Sequence, residues 1–258
     1  MKKIKNDLMS VLRFFNQIFD LFFITWKTTF NKPFLWRETL EQIYRLGNKS
    51  LALTILTSLA VGAVMTLQFG WGLNKFGGKL FIPKVIALSM TLELAPVFTA
   101  LILAGRVGSG IAAQIGSMNV TQQIDAIQAL GTDPIQRLVV PRFWAMVIST
   151  PLLTVIAIVL GIFSGMLIGS LELNISSDFF LSKAFSGITY KELIIGLGKT
   201  FFFGMFISLT GCYRGLKTRG GTTGVGDSTT WTVVIATTFV LIGDVFLTKL
   251  LMILVGKV

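Results

Sequence analysis

Five apolar stretches, at residues 51–73, 85–105, 143–171, 193–213 and 228–256, dominate this chain of 258 residues. Each is long enough to cross a hydrocarbon core, which takes about 20 residues of helix. In lipid every backbone N–H and C=O must be satisfied within the protein, so such segments are committed to helices. The chain carries 23 Lys and Arg and 12 Asp and Glu, yet only Glu93, Lys199, Asp244 and Lys249 lie inside the five stretches. The fold class that follows is an all-α integral membrane protein, with residues 1–50 as a juxtamembrane region and residues 51–258 as a five-span unit.

The basic residues orient it. Nine precede residue 51, three lie at 106–142, and Arg214, Lys217 and Arg219 follow the fourth span. The other side receives Lys75, Lys79, Lys84, Lys183, Lys191, Lys249 and Lys257. The positive-inside rule then puts the N-terminus in the cytoplasm and the C-terminus on the far side. The net charge of +11 is thereby explained without nucleic acid, for which no basic patch interleaved with aromatics exists outside the spans.

Ahead of the first span, Ile4, Leu8, Leu12, Phe15, Phe19, Phe22, Trp26 and Phe30 recur at steps of three and four, with Arg13, Asn16, Gln17, Asp20 and Lys27 between them. This spacing predicts an amphipathic interfacial helix, apolar side toward the membrane, or alternatively one packed on another protein. Pro33 ends it, and a second juxtamembrane helix is expected over residues 34–46.

With no His, the chain has no Ser-His-Asp triad, no His-ligated zinc and no HExxH helix. Its single Cys212 excludes an internal disulfide. No catalytic or metal-binding residue is expected. Ionisable groups inside a span are costly, about 2.5–3.5 kcal/mol each on insertion scales, which singles out Glu93, Lys199 and Asp244. Lys199 is expected to pair with at least one of the carboxylates, either along a polar path or as a buried ion pair that fixes helix packing. Pro96, three residues after Glu93, predicts a bend in span two. Small residues at steps of four (Ala104, Gly108, Ala112 and Gly116; Gly161, Gly165 and Gly169; Gly196, Thr200, Gly204 and Ser208) allow close backbone approach, within the chain or between two copies.

Between spans two and three, Asn119-Val120-Thr121-Gln122 resembles a capping box with Asn119 as N-cap and Gln122 at N3. A surface helix of roughly 11 residues is expected to follow, within 117–131, ended by Gly131. Its apolar face is Val120, Ile124, Ile127 and Leu130, with Gln122, Asp125 and Gln128 turned elsewhere. It is placed to dock on a partner or to skim the membrane. Gly198-Lys199-Thr200 imitates a phosphate-binding loop, but the first glycine of that motif would fall on Leu193. The glycine-rich residues 220–226 read as a flexible cytoplasmic turn. With no nucleotide site of its own, the chain would take energy from a partner or an ion.

The runs Glu93-Leu94-Ala95-Pro96, Ala104-Gly105-Arg106-Val107-Gly108-Ser109 and residues 122–134 (QQIDAIQALGTDP), in that order, resemble the MlaE/YrbE permease family. The resemblance covers most of the chain from the first span onward. It implies the membrane subunit of an ABC-type phospholipid transport complex in the inner membrane of Gram-negative bacteria, moving lipid between inner and outer membranes to maintain outer-membrane asymmetry. Two permease copies would pair with two cytoplasmic ATPase subunits, which hold the ATP and Mg. A STAS-domain protein and a periplasmic hexamer of MCE-domain subunits would complete the assembly, leaving the C-terminus periplasmic. The resemblance makes the surface helix, with Asn119, Val120, Gln122, Ile124, Asp125, Ile127 and Gln128, the element that couples to the ATPase. It makes the N-terminal helix an interfacial elbow and a seat for the MCE anchors. It also implies a lipid cavity between the two copies, for which depth and polarity point to Leu67, Gln68, Trp71, Leu92, Glu93 and Phe98. From residue physics alone, an ion-coupled secondary transporter using Glu93, Lys199 and Asp244 is the alternative, and an intramembrane lipid enzyme a third class.

Overall fold

The computed structural model describes the backbone of residues 2–256 and the side chains of Met9 and of residues 13–256. The expected apolar positions Ile4, Leu8 and Leu12 therefore fall outside the described side chains. Among the described residues eight helices follow one another and no strand occurs. They are α1 (Lys2–Asn31), α2 (Trp36–Asn74), α3 (Lys79–Val120), α4 (Gln123–Ala129), α5 (Ile135–Leu173), α6 (Ser177–Gly187), α7 (Tyr190–Leu216) and α8 (Gly221–Leu254). Five of them, α2, α3, α5, α7 and α8, are long and apolar enough to span a membrane.

The helices outrun the apolar stretches. The second juxtamembrane helix is the start of α2, so a boundary at residue 50 would cut through one continuous helix. Residues 106–120, read from the sequence as connection, are the last turns of α3. Residues 221–226, expected as a flexible turn, are the first turns of α8, and only Gly220 and Gly221 there have positive φ. A Cβ on Gly224 would lie 1.8 Å from the Arg219 carbonyl, so that position admits only glycine. The tail at 250–254 continues the α8 helix. Just ahead of Pro96, α3 widens into a π-helical turn, Met90–Leu94. A proline takes away the N–H that the carbonyl one turn earlier would use, and a wider turn is one way to absorb that loss.

Small residues set the packing, and all three stripes are used within the chain. Gly196 faces the Thr91 carbonyl, Gly204 that of Met146, and Gly211 that of Gly108, each so close that a Cβ would come within 2.8 Å. Gly165 and Gly169 receive Phe180 of α6, a helix not anticipated from the sequence. Two further stripes escaped notice. Over residues 49–74 of α2 the buried residues are Ser50, Thr54, Ser58, Gly62, Thr66 and Gly70; in α8 they are Ser228, Thr232, Ala236 and Val240. These two helices meet the bundle along one edge and leave their other faces open, whereas α5 and α7 are the most enclosed spans.

The N-terminal helix turns Ile18, Leu21, Thr25 and Thr28 toward the protein. Phe15, Phe19, Trp26 and Phe30 of the expected apolar face are exposed. It is held along its length: Tyr213 donates to Gln17 Oε1, Lys217 Nζ to the same oxygen at 2.8 Å, and Trp144 Nε1 to Thr29 Oγ1 at 3.2 Å. At its end Lys32 pairs with Asp133 at 2.8 Å. Partial burial works to raise the Asp133 carboxyl, but the hydrogen bonds from Lys32 and the Ile135 N–H, with the Lys32 charge, outweigh it and hold it below the ordinary carboxylate range.

Two outcomes follow for thermal unfolding in detergent. Gly62→Val puts its Cβ 2.0 Å from the Gly161 carbonyl oxygen and costs about 3 kcal/mol, whereas Gly72→Ala, with no atom within 4 Å, is neutral or stabilising. Asp133→Asn costs less than about 1 kcal/mol at neutral pH, because the pair is solvent-screened. A depressed carboxylate stabilises above its unfolded value near 3.9. The difference between Asp133→Asn and wild type therefore disappears as the pH falls through the native Asp133 value.

Candidate functional site

The three intramembrane ionisable residues converge. Close contact of α7 with the π-helical turn of α3, permitted by Gly196 against the Thr91 carbonyl, sets Lys199 beside Glu93. The α8 stripe, continued at its four-residue step beyond Val240, delivers Asp244 and Thr248 to the same point. Lys199 Nζ donates to Glu93 Oε2 at 2.5 Å, Asp244 Oδ1 at 2.6 Å and Thr248 Oγ1 at 3.0 Å. All three ammonium donors are thereby used. Thr248 in turn donates to Glu93 Oε1 at 3.2 Å. The Lys199 side chain is fully buried, while that of Glu93 is 41% exposed and that of Asp244 17%. The cluster holds two carboxylates against one cation, and its open side is Glu93. It ties three spans together, with Glu93 as its half-exposed polar group. Thr248 was missed although it stands four residues after Asp244, the spacing that places two side chains on one helix face.

The residues chosen for a lipid wall divide into groups. Leu67, Gln68 and Trp71 share the exposed face of α2, with Lys75 Nζ 3.8 Å above the Trp71 ring. Phe98 lines a narrow crevice with Thr54, Thr57 and Ser58 of α2. Leu92 is half-buried beside Glu93.

At the basic end, the connection differs from the capping-box reading. Asn119 belongs to the last turns of α3, and its Nδ2 donates to the Thr218 carbonyl at 2.8 Å. Gln122, at φ 60°, is the left-handed residue before α4 and caps nothing with its side chain. An acceptor 99 residues away claimed the asparagine, so the surface helix is only Gln123–Ala129, ended as expected near Gly131. Its apolar positions also part company: Ile124 is buried in the protein and Ile127 half-buried, while Val120 and Leu130 are exposed, Leu130 at 84%. Asp125 and Gln128 are exposed beside them. A true capping box lies at Thr189 and Glu192, where Glu192 Oε2 accepts from the Thr189 N–H at 2.8 Å and starts α7. Among the described residues no three His, Cys, Asp or Glu side chains gather as a metal site.

Lys199→Met, which leaves two carboxylates without their cation, is expected to cost about 3–5 kcal/mol in thermal unfolding. Adding Glu93→Gln and Asp244→Asn to that variant should restore most of the loss.

Comparison with known proteins bears on this geometry. The family model described as Permease MlaE matches residues 39–250. A probable ABC transporter permease protein of Rickettsia typhi is 40% identical over 235 residues, covering 91% of each chain. One from Synechocystis is 41% identical over 215 residues, covering 83% of this chain and 82% of that one. A chloroplast protein of Arabidopsis thaliana named TRIGALACTOSYLDIACYLGLYCEROL 1 is 37% identical over 214 residues, 83% of this chain and 61% of that protein. This chain belongs to the MlaE permease family, as a membrane-embedded permease subunit of an ABC transporter.

Proposed function

We propose that two copies of this chain form the phospholipid path of an ABC transporter in the inner membrane of a Gram-negative bacterium. The N-terminus is cytoplasmic and the C-terminus periplasmic, and lipid exchanged with the outer membrane maintains its asymmetry. The observation that carries this reading is the open membrane face itself. Spans α2 and α8 leave broad apolar surfaces uncovered, and Glu93 of α3 is the most exposed charged group of the buried cluster. Apolar surfaces together with a half-exposed charged group suit a molecule that has a charged head and apolar tails. The name of the Arabidopsis relative, which contains that of a glycerolipid, supports the same class of cargo.

In this reading ATP and Mg bind the separate ATPase, and α4 passes the ATPase motion to the spans. A STAS-domain protein and a periplasmic MCE-domain hexamer complete the assembly. Buried Ile124 anchors α4 to its own chain, so the surface offered to the ATPase is the exposed side with Ala126, Ala129 and Leu130. Coupling is tested in the reconstituted complex by following ATP-dependent movement of a fluorescent phospholipid. Leu130→Asp is expected to reduce it at least tenfold with the unfolding temperature of the permease unchanged; undiminished transport would refute the role given to α4.

A further inference from the structure

An apolar cavity of about 540 Å³ opens between α1, α7 and α8 at the basic end of the bundle, lined on α8 by residues outside its buried stripe. Its walls are Phe15 of α1, Phe206 of α7, and Trp231, Val234, Phe239 and Ile242 of α8. Phe206 and Phe239 stack at 3.5 Å to make its floor. Among the described residues lining it, the charged one is Arg214, in the last turn of α7, with its guanidinium carbon 6.0 Å from the Trp231 ring centre. The Arg214 Nε is buried and donates to no atom of the described residues.

From Trp231 to Ile242 the groove runs about 16 Å along α8 at ~1.5 Å per residue. That is about half of a ~30 Å hydrocarbon core, the depth of one leaflet. A groove one acyl chain deep, floored by aromatic rings and headed by a guanidinium at the membrane border, matches a lipid whose headgroup is an anion. A second copy docking groove to groove would bring Arg214 no counter-charge from the described residues, because a two-fold contact apposes the same patch and no carboxylate is among the described residues lining it. The basic surroundings favour anionic lipid in the adjoining leaflet.

We propose that this groove is a binding site for an anionic phospholipid of the leaflet at the basic end, its phosphate held by Arg214 and one acyl chain lying over Phe206 and Phe239. The lipid would brace α1 and α8, the latter otherwise attached along a single edge. The inference stands whatever cargo the transporter moves.

The test is native mass spectrometry of the full-length protein taken from vesicles of phosphatidylcholine with 20% phosphatidylglycerol. Wild type should retain phosphatidylglycerol in preference to phosphatidylcholine. Arg214→Gln should lower that retention about five- to tenfold, and Thr238→Trp, which fills the groove without touching the charge, should lower it as much. A photo-crosslinking residue at position 234 should yield an adduct of one phospholipid mass. Should Arg214→Gln not fold, Thr238→Trp and the adduct decide. Unchanged phosphatidylglycerol retention in Thr238→Trp, or crosslinking of position 234 to a second copy in place of lipid, would overturn the proposal.

Discussion

Gly196 lets the backbone of α7 rest on the Thr91 carbonyl of α3, and the charged centre of the protein depends on that contact. At such separation a lysine three residues further along reaches a carboxylate on the neighbouring helix without leaving a gap in the bilayer. A side chain at Gly196 would push the helices apart and strand both charges in a medium where each costs several kcal/mol. The rest of the bundle uses the same device. Helix backbones meet at glycine, serine and threonine, because lipid supplies no hydrophobic drive between helices and close packing must hold them together.

A division of labour follows. The two inner spans, α5 and α7, are enclosed by protein, and the outer spans α2 and α8 each touch the bundle along a single four-residue stripe. Asp244 and Thr248 extend the α8 stripe, so the attachment of this helix changes from van der Waals contact to hydrogen bonds to a buried ammonium. A span attached in this way presents most of its circumference to lipid or to another subunit. That is the architecture of a component, and it accords with a permease subunit that draws on an ATPase elsewhere.

The spans were legible because the cost of bare backbone in lipid leaves a twenty-residue apolar run few other fates. The pairing of Lys199 was legible for a related reason, the rarity of charge within those runs. Helix ends were less so. Once polar residues clear the hydrocarbon, composition no longer marks where a helix stops, and α3 runs on to Val120. The capping box at Asn119 failed because a local pattern cannot reveal a distant acceptor such as the Thr218 carbonyl. The glycine-rich start of α8 was read by propensity, which tertiary packing along Ser228 and Thr232 overrides. Nothing in the order of residues shows which face of α2 the small-residue stripe would claim, and so which of the residues expected at a lipid wall would be exposed.

In the proposed function, phospholipid passes along the open face of α2 under the control of the ATPase. That path is tested most directly by placing a photo-crosslinking residue at Gln68 in the assembled complex, in membranes containing radiolabelled phospholipid, with Val159 on the exposed side of α5 as the control position. A phospholipid adduct is expected at position 68, with a yield that changes at least severalfold when ATP is hydrolysed, while the yield at position 159 stays constant. Equal, ATP-insensitive labelling at both positions would contradict it.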